Sequence, residues 1–211
     1  MTIKTFTFNP FQENTYLIYD ENGEAAVIDA GCYNETEKQL IKNYLVDNNL
    51  VLKKVLNTHL HIDHQFGNKF LFETYGLKPE ASKEDEFLLE NITEQLRMFG
   101  LPAGEGVQNI GSYIEDNQVI KVGNITLKAI HVPGHSPGSM CLYAEKDGVL
   151  FAGDVLFRGS IGRTDLPKGD YATLINAITE RLLPLPNETV VYSGHGPTTT
   201  IGSEKQQNPY L

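Results

Sequence analysis

At 211 residues the chain is long enough for one compact domain with a sizeable core, and 40% hydrophobic with 21% charged residues is the balance of a folded protein, not a disordered one. A net charge of −10 without a basic stripe repels phosphate backbones and argues against nucleic acid as partner or substrate. No window approaches the roughly 18 uninterrupted apolar residues of a membrane span, and Met1 to Phe8 alternates polar and apolar residues instead of opening as an export signal.

A cytoplasmic location without a membrane partner is therefore expected. Cys32 and Cys141 are too few and too far apart for a disulfide framework and fit reduced thiols. Cys141, between Met140 and Leu142, is expected in the core, and Cys32 is given no role.

In chain order, Ile3 to Phe8, Thr15 to Tyr19 and Ala25 to Asp29 read as strands of a meander, with turn signals at Asn9-Pro10 and Asn22-Gly23. Asn34 with Glu37 forms a capping-box pattern, and Leu40, Ile41, Tyr44 and Leu45 recur at helical spacing up to Asp47. Val51 to Leu56 reads as a strand. Helices are predicted from His64 to Tyr75 and from Lys83 to Met98, the second with Phe87, Leu88, Ile92 and Leu96 on one side and Gly100 and Pro102 as stops. Gly100 to Asn117, with Gly104, Gly106 and Gly111, has no sustained period and reads as a lid, a pocket rim or a plain surface loop.

Four strands follow: Gln118 to Val122, Ile125 to His131, Ser139 to Ala144 and Val149 to Phe151, with tight turns at Gly123-Asn124 and Asp147-Gly148. Asp170 caps a helix whose buried face is Leu174, Ile175, Ile178 and Leu182, and Thr189 to Tyr192 is the last strand. Strands and helices thus alternate in two similar blocks. Two such halves can bury their sheets face to face with helices outside. The expected fold is a single α/β (α+β) domain over residues 1–211, a four-layer αββα sandwich.

The densest chemical signal is Thr58-His59-Leu60-His61-Ile62-Asp63-His64, directly after a predicted strand. Imidazole nitrogen and carboxylate oxygen are ligands of zinc, iron and manganese, and such groups crowd together at little cost only around a cation. Three further predicted strands end in Gly/Pro turns that carry His135, Asp154 and His195. Sheet folds align such ends along one edge, and small turn residues allow a close backbone approach. His59, His61, Asp63, His64, His135, Asp154 and His195 are enough for two divalent ions. His131, at an apolar strand end, reads as a satisfied core histidine.

The pattern His-x-His-x-Asp-His, followed by a His, an Asp and a final His in separate loops, resembles the metallo-β-lactamase superfamily from residue 15 onward. The resemblance implies that His59, His61 and His135 bind one metal, and Asp63, His64 and His195 the other. Asp154 and a hydroxide would bridge the two ions, zinc first, with iron or manganese as alternatives. It also implies that Asp63 orients the hydroxide and that Asp29 supports the ligands from behind.

Arg158 to Pro167 and the ending Thr198 to Leu211 resemble the short bacterial glyoxalase II-like hydrolases. That likeness implies hydrolysis of a small-molecule thioester such as S-D-lactoylglutathione, with Arg163 contacting a glutathione carboxylate; an Arg163 to Asp165 ion pair is the alternative. Full-length glyoxalase II adds a C-terminal helical glutathione-binding domain, and only residues 196–211 follow His195 here, so that domain is not expected.

Antibiotic hydrolysis is not expected, since the best-known β-lactamases have Arg where His64 stands and Cys where Asp154 stands. The chief alternative is a persulfide dioxygenase, whose single iron would be held by His59, His135 and Asp154. A lactonase and a non-catalytic metal-binding scaffold complete the set.

Overall fold

In the computed structural model, which describes residues 1–90, 92–101 and 106–211, each half of the chain builds one sheet. β1 (Thr2–Phe8), β2 (Glu13–Tyr19) and β3 (Glu24–Ile28) form the expected antiparallel meander. α1 (Glu35–Asp47) carries the chain to β4 (Val51–Leu56), which pairs with β3 in parallel. The Asn34 side chain accepts from the Glu37 amide at 3.0 Å and the Glu37 carboxylate reaches back, which completes the predicted capping box.

The helix predicted from His64 starts later. Ile62–His64 is a 3-10 turn and α2 covers Asn68–Tyr75. The Asn57 side chain donates to the His64 carbonyl at 2.7 Å, so the acceptor that a helical Asn68 amide would use is spent on fixing the loop. β5 (Pro79–Ala81) then adds to β4 in parallel.

The helix predicted over Lys83 to Met98 opens as a 3-10 turn at Lys83–Asp85 and is helical at α3 (Phe87–Glu90) and α4 (Ile92–Met98), on either side of a residue that the structure does not describe. The Asp85 side chain is turned into the protein, which takes this first turn out of the helical register. Asn91, Pro102 and Gly104 lie outside the described residues. The stretch read as a lid or rim also contains β6 (Ser112–Tyr113), parallel to β5.

β7 (Val119–Val122), β8 (Ile125–His131), β9 (Met140–Ala144) and β10 (Val149–Gly153) pair antiparallel in sequence, as predicted. β11 (Leu156–Phe157) and β12 (Ser160–Ile161) form a small separate hairpin. α5 (Tyr171–Ala177) starts at the predicted Asp170 cap, which accepts from the Thr173 amide at 2.7 Å, and continues as a π-type turn through Ile178–Leu182. β13 (Val190–Ser193) joins β10 in parallel, and β14 (Thr199–Thr200) and α6 (Ile201–Gln207) close the chain.

Adjacent residues on each central strand serve opposite layers, as the two-residue period requires. Ile18, Ile28 and Leu56 from the first sheet meet Leu127, Leu142 and Phe151 from the second. Leu17, Val27 and Val55 face outward against Ile41 and Leu45 of α1 and Phe70 of α2. On the far side Leu150 and Val191 pack on Leu174, Ile178 and Leu182. Full burial of each such side chain contributes about 1.5–3 kcal/mol. The molecule is therefore the expected four-layer αββα sandwich in one domain. Among the described residues, no helix is long and apolar enough to cross a membrane.

Candidate metal centre

Strand direction explains why the chemically active loops meet. β3 and β4 are parallel, as are β10 and β13, and β8 is antiparallel to β9, which is antiparallel to β10. The C-terminal ends of β8, β10 and β13 therefore lie at one edge of the second sheet, and those of β3 and β4 share an edge of the first. From these five ends come Asp29, the 58–64 loop, His135, Asp154 and His195. Glycine makes the approach possible at two points: a Cβ on Gly153 would collide with Thr58 Oγ1, and one on Gly194 would collide with Asp154 Oδ1.

The structure brings all seven predicted residues together. His61 Nδ1 lies 2.8 Å from His135 Nε2, which lies 3.3 Å from His59 Nε2. Asp63 Oδ2 lies 3.2 Å from His195 Nε2 and 3.8 Å from His64 Nε2. Asp154 stands between the two groups: its Oδ1 is 3.4 Å from His64 Nε2, and its Oδ2 is 3.7 Å from His135 Nε2 and 3.5 Å from His195 Nε2. Donors on a cation with bonds of about 2.1 Å sit about 3.4 Å apart in a tetrahedral shell, close to these spacings.

The outward nitrogens show which way the lone pairs point. His135 Nδ1 donates to the Arg163 carbonyl at 2.8 Å, and His195 Nδ1 to the Phe11 carbonyl at 3.1 Å. His64 Nδ1 donates to Asp29 Oδ2 at 3.1 Å, and His59 Nδ1 to Thr58 Oγ1 at 3.1 Å, whose own proton goes to Asp29. With these protons placed outward, the inner nitrogens face one another and the Asp63 and Asp154 carboxylates, positions that a metal cation can take in place of a proton. His64 Nε2 and Asp154 Oδ1 are buried without a hydrogen-bond partner. Buried imidazoles and carboxylates this close together are unfavourable unless protons or metal cations sit among them. The His and Asp clusters are thus suited to a dinuclear metal site.

Electrostatics differ across the centre. Burial, then the neighbouring imidazoles, hold His59 well below the usual histidine range, and burial with His135 takes His61 down to about 3. Burial also opposes charge on His64 and His195, but carboxylates outweigh it and both are raised, His64 chiefly by Asp154 and Asp63, His195 chiefly by the hydrogen bond it donates to Asp63. Burial alone would raise Asp63 and Asp154; the neighbouring histidines, His64 first, bring both below the usual range.

Asp29 is where a supporting aspartate was expected. It accepts from the Thr58 amide and hydroxyl, both at 2.7 Å, besides His64, so both oxygens are used holding the loop. It takes a left-handed backbone, φ 53°, which Asp tolerates better than most residues. Arg163 is exposed and its guanidinium forms two 2.7 Å bonds to Asp165, the ion pair read as its alternative role. His131 is half-buried and bonds the Pro137 carbonyl at 2.7 Å, away from the cluster. Cys32 and Cys141 are buried free thiols, both pushed up by burial.

Several groups at the centre had not been anticipated. Asp85 is fully buried and accepts from the Leu60 amide at 3.3 Å, Ser136 Oγ at 2.7 Å and the Gly138 amide at 2.6 Å, tying the 59–61 loop to the His135 loop. Glu13 is a buried carboxyl raised by desolvation, with Oε1 unpartnered 4.0 Å from His64 Nδ1. Asn14 fixes the last loop through its amide on the Gly194 carbonyl and its side chain on that of Gly196. Asn9 bonds the Asp63 carbonyl at 3.0 Å. The turn signal at Asn9-Pro10 was visible, but nothing local distinguishes Glu13 or Asp85 from surface carboxylates.

A pocket of about 470 Å³ opens over the cluster, with His61, Asp63, His135, Asp154 and His195 at its floor. Its walls are mostly apolar, and that volume is in the range of small-molecule sites.

The chain belongs to the metallo-beta-lactamase superfamily, whose model matches residues 8–195. It is 39% identical to the hydroxyacylglutathione hydrolase GloC of Haemophilus influenzae over 100% of this chain and 98% of that protein. Among solved structures, the BLEG-1 B3 metallo-beta-lactamase superposes with a TM-score of 0.90 at 35% identity, covering 100% of this chain and 99% of the other. TTHA1623, solved in a di-iron-bound form, gives a TM-score of 0.86 at 36% identity, covering 99% and 100%.

Proposed function

We propose that the protein is a metal-dependent hydrolase that cleaves small-molecule thioesters, with S-D-lactoylglutathione or a related hydroxyacyl thioester as the first substrate to test. The observation that carries this reading is the convergence of seven metal-type side chains, their inner nitrogen and carboxylate oxygen atoms facing one another, five of them lining a substrate-sized pocket. His59, His61 and His135 would hold one ion, Asp63, His64 and His195 the other, with Asp154 shared. Two divalent cations, zinc by this histidine-rich donor set, would when bound lower the pKa of water and polarise a substrate carbonyl.

The chain's own residues supply position and proton handling. Asp63, at the pocket floor beside His195, orients the attacking water and holds its proton. Asp29 fixes the ring directions of His64 and, through Thr58, of His59. Among the described residues lining the pocket there is no serine or cysteine, which supports water as the nucleophile. A thiolate leaves readily because its parent thiol has a pKa of only about 8.5, so a thioester needs no strong acid at the leaving group. Arg163 could meet a substrate carboxylate only by giving up both of its bonds to Asp165. The likeness to GloC supports a hydroxyacylglutathione, and the two free thiols support a reducing compartment, the cytoplasm.

A second reading has one observation in its favour. His59, His135 and Asp154 converge on their own, a two-His-one-carboxylate set that suits a single iron acting on a persulfide. Elemental analysis paired with turnover separates the two. Two ions per chain and metal-dependent cleavage of S-D-lactoylglutathione are expected; one iron per chain with oxygen uptake on glutathione persulfide would overturn the hydrolase reading.

A further inference from the structure

The apolar lining of the pocket can be sorted by the loop it is tied to, that of His195 or that of His135. On the His195 side stands Phe11, whose carbonyl holds His195 Nδ1 and whose ring meets Phe99 edge-on at 5.1 Å. Met98 lies beyond, and Met98 and Phe99 remain 72% and 44% exposed. On the His135 side the chain that supplies the Arg163 carbonyl continues into Leu166 and Pro167, and Phe87 with Leu88 follows the Asp85 turn that grips the same loop.

Among the described residues, Arg163, Glu94 and Gln95 on these walls are already engaged. Arg163 is paired with Asp165, Glu94 with Arg97 at 2.7 Å, and Gln95 donates to the Leu88 carbonyl at 2.7 Å. Lys168 Nζ lies 3.6 Å from the centroid of the Phe87 ring, a cation at the edge of an aromatic wall. Large apolar side chains left exposed beside a cleft mark a surface that a ligand covers. A glutathione portion, with two carboxylates, an ammonium and two amides, would find few open partners here and would have to break existing ones.

We propose that the preferred substrates carry apolar groups on both sides of the reacting carbonyl, and that glutathione is tolerated as a leaving group without being recognised. This rests on the thioesterase reading. In the reaction a water oxygen forms the new C–O bond, the C–S bond breaks, and a carboxylate, a thiol and one proton result. The His195 wall and the His135 wall would each cover one arm of the thioester.

The test is a four-member series on the metal-loaded protein: D-lactoyl or hexanoyl as the acyl group, glutathione or benzyl mercaptan as the thiol. Each apolar exchange should raise kcat/KM at least about tenfold, the lower end of what a few buried methylenes discriminate. Phe99→Ala and Phe87→Ala should each narrow one of the two gains. A gain on one side only, or equal kcat/KM across the series, overturns the proposal and leaves the thioesterase reading standing. S-D-lactoylglutathione as the best of the four, with Arg163→Ala or Lys168→Ala raising its KM about tenfold, also overturns it. Absence of metal-dependent turnover on all four sinks the thioesterase reading itself, and this proposal with it.

Discussion

The His59, His61 and His135 group and the Asp63, His64 and His195 group hold protons differently. In the first, burial and neighbouring imidazoles keep His59 and His61 neutral far below neutral pH. In the second, Asp63 and Asp154 hold protons on His64 and His195 above the usual imidazole range. A metal ion can displace a proton from a ligand only at a free-energy cost set by the pH. The metal-free protein therefore presents His59 and His61 already deprotonated, whereas His64 and His195 must release protons on loading. Two halves of one centre, built on the same loop, are prepared to different degrees.

Asp154 belongs to both halves, so Asp154→Ala should produce the largest effect: weakened binding at both sites and turnover reduced about 10³-fold, measured by elemental analysis and steady-state kinetics. His61→Ala should remove one ion and leave the second group loaded, whereas His195→Ala should do the reverse. If both variants lose the same ions in the same order, the distinction between the halves fails.

Next in size are the two supporting carboxylates. Asp29→Asn disturbs His64 directly and His59 through Thr58, so affinity at both sites should fall about 10–100-fold in competition with a chelator. Asp85→Asn sets an amide NH₂ against the Leu60 or the Gly138 backbone N–H, which only donate, on the segments carrying His59, His61 and His135. Its loss should fall on the three-histidine group alone. Equal weakening at both sites would show that Asp85 braces the whole edge and not one half.

The smallest effect is a difference in acid release. As pH falls from about 8 to about 5, protons should compete first at His64 and His195, whose folded pKa values are raised, and only at lower pH at His59 and His61, whose values are depressed. Titration of released metal with a chromogenic chelator should show two steps, the first absent in His195→Ala. A single step at one pH would merge the two halves.

Much of this centre was legible because its signals are local. Metal-type side chains at strand ends, the Asn34 and Asp170 caps, and the Asn22-Gly23 and Gly123-Asn124 turns depend on residues a few positions apart. The boundaries that slipped did so for tertiary reasons: Asn57 takes the His64 carbonyl and delays α2, and Asp85 turns inward and sets off the first turn of the predicted helix. β5, β6 and β14 are two or three residues long, too short to show a period, and α6 is mostly polar.

By itself the sequence determined the kinds of ligand, their order and their attachment to strand ends, since covalent spacing and the two-residue strand period are written into the chain. Only the tertiary structure decided that Glu13 and Asp85 are buried, that Arg163 is bound to Asp165, and that Phe11 and Phe87 line one pocket with the cluster. The environment of a carboxylate or an aromatic ring is set by what packs on it from distant segments, and that is fixed only when the two sheets close on each other.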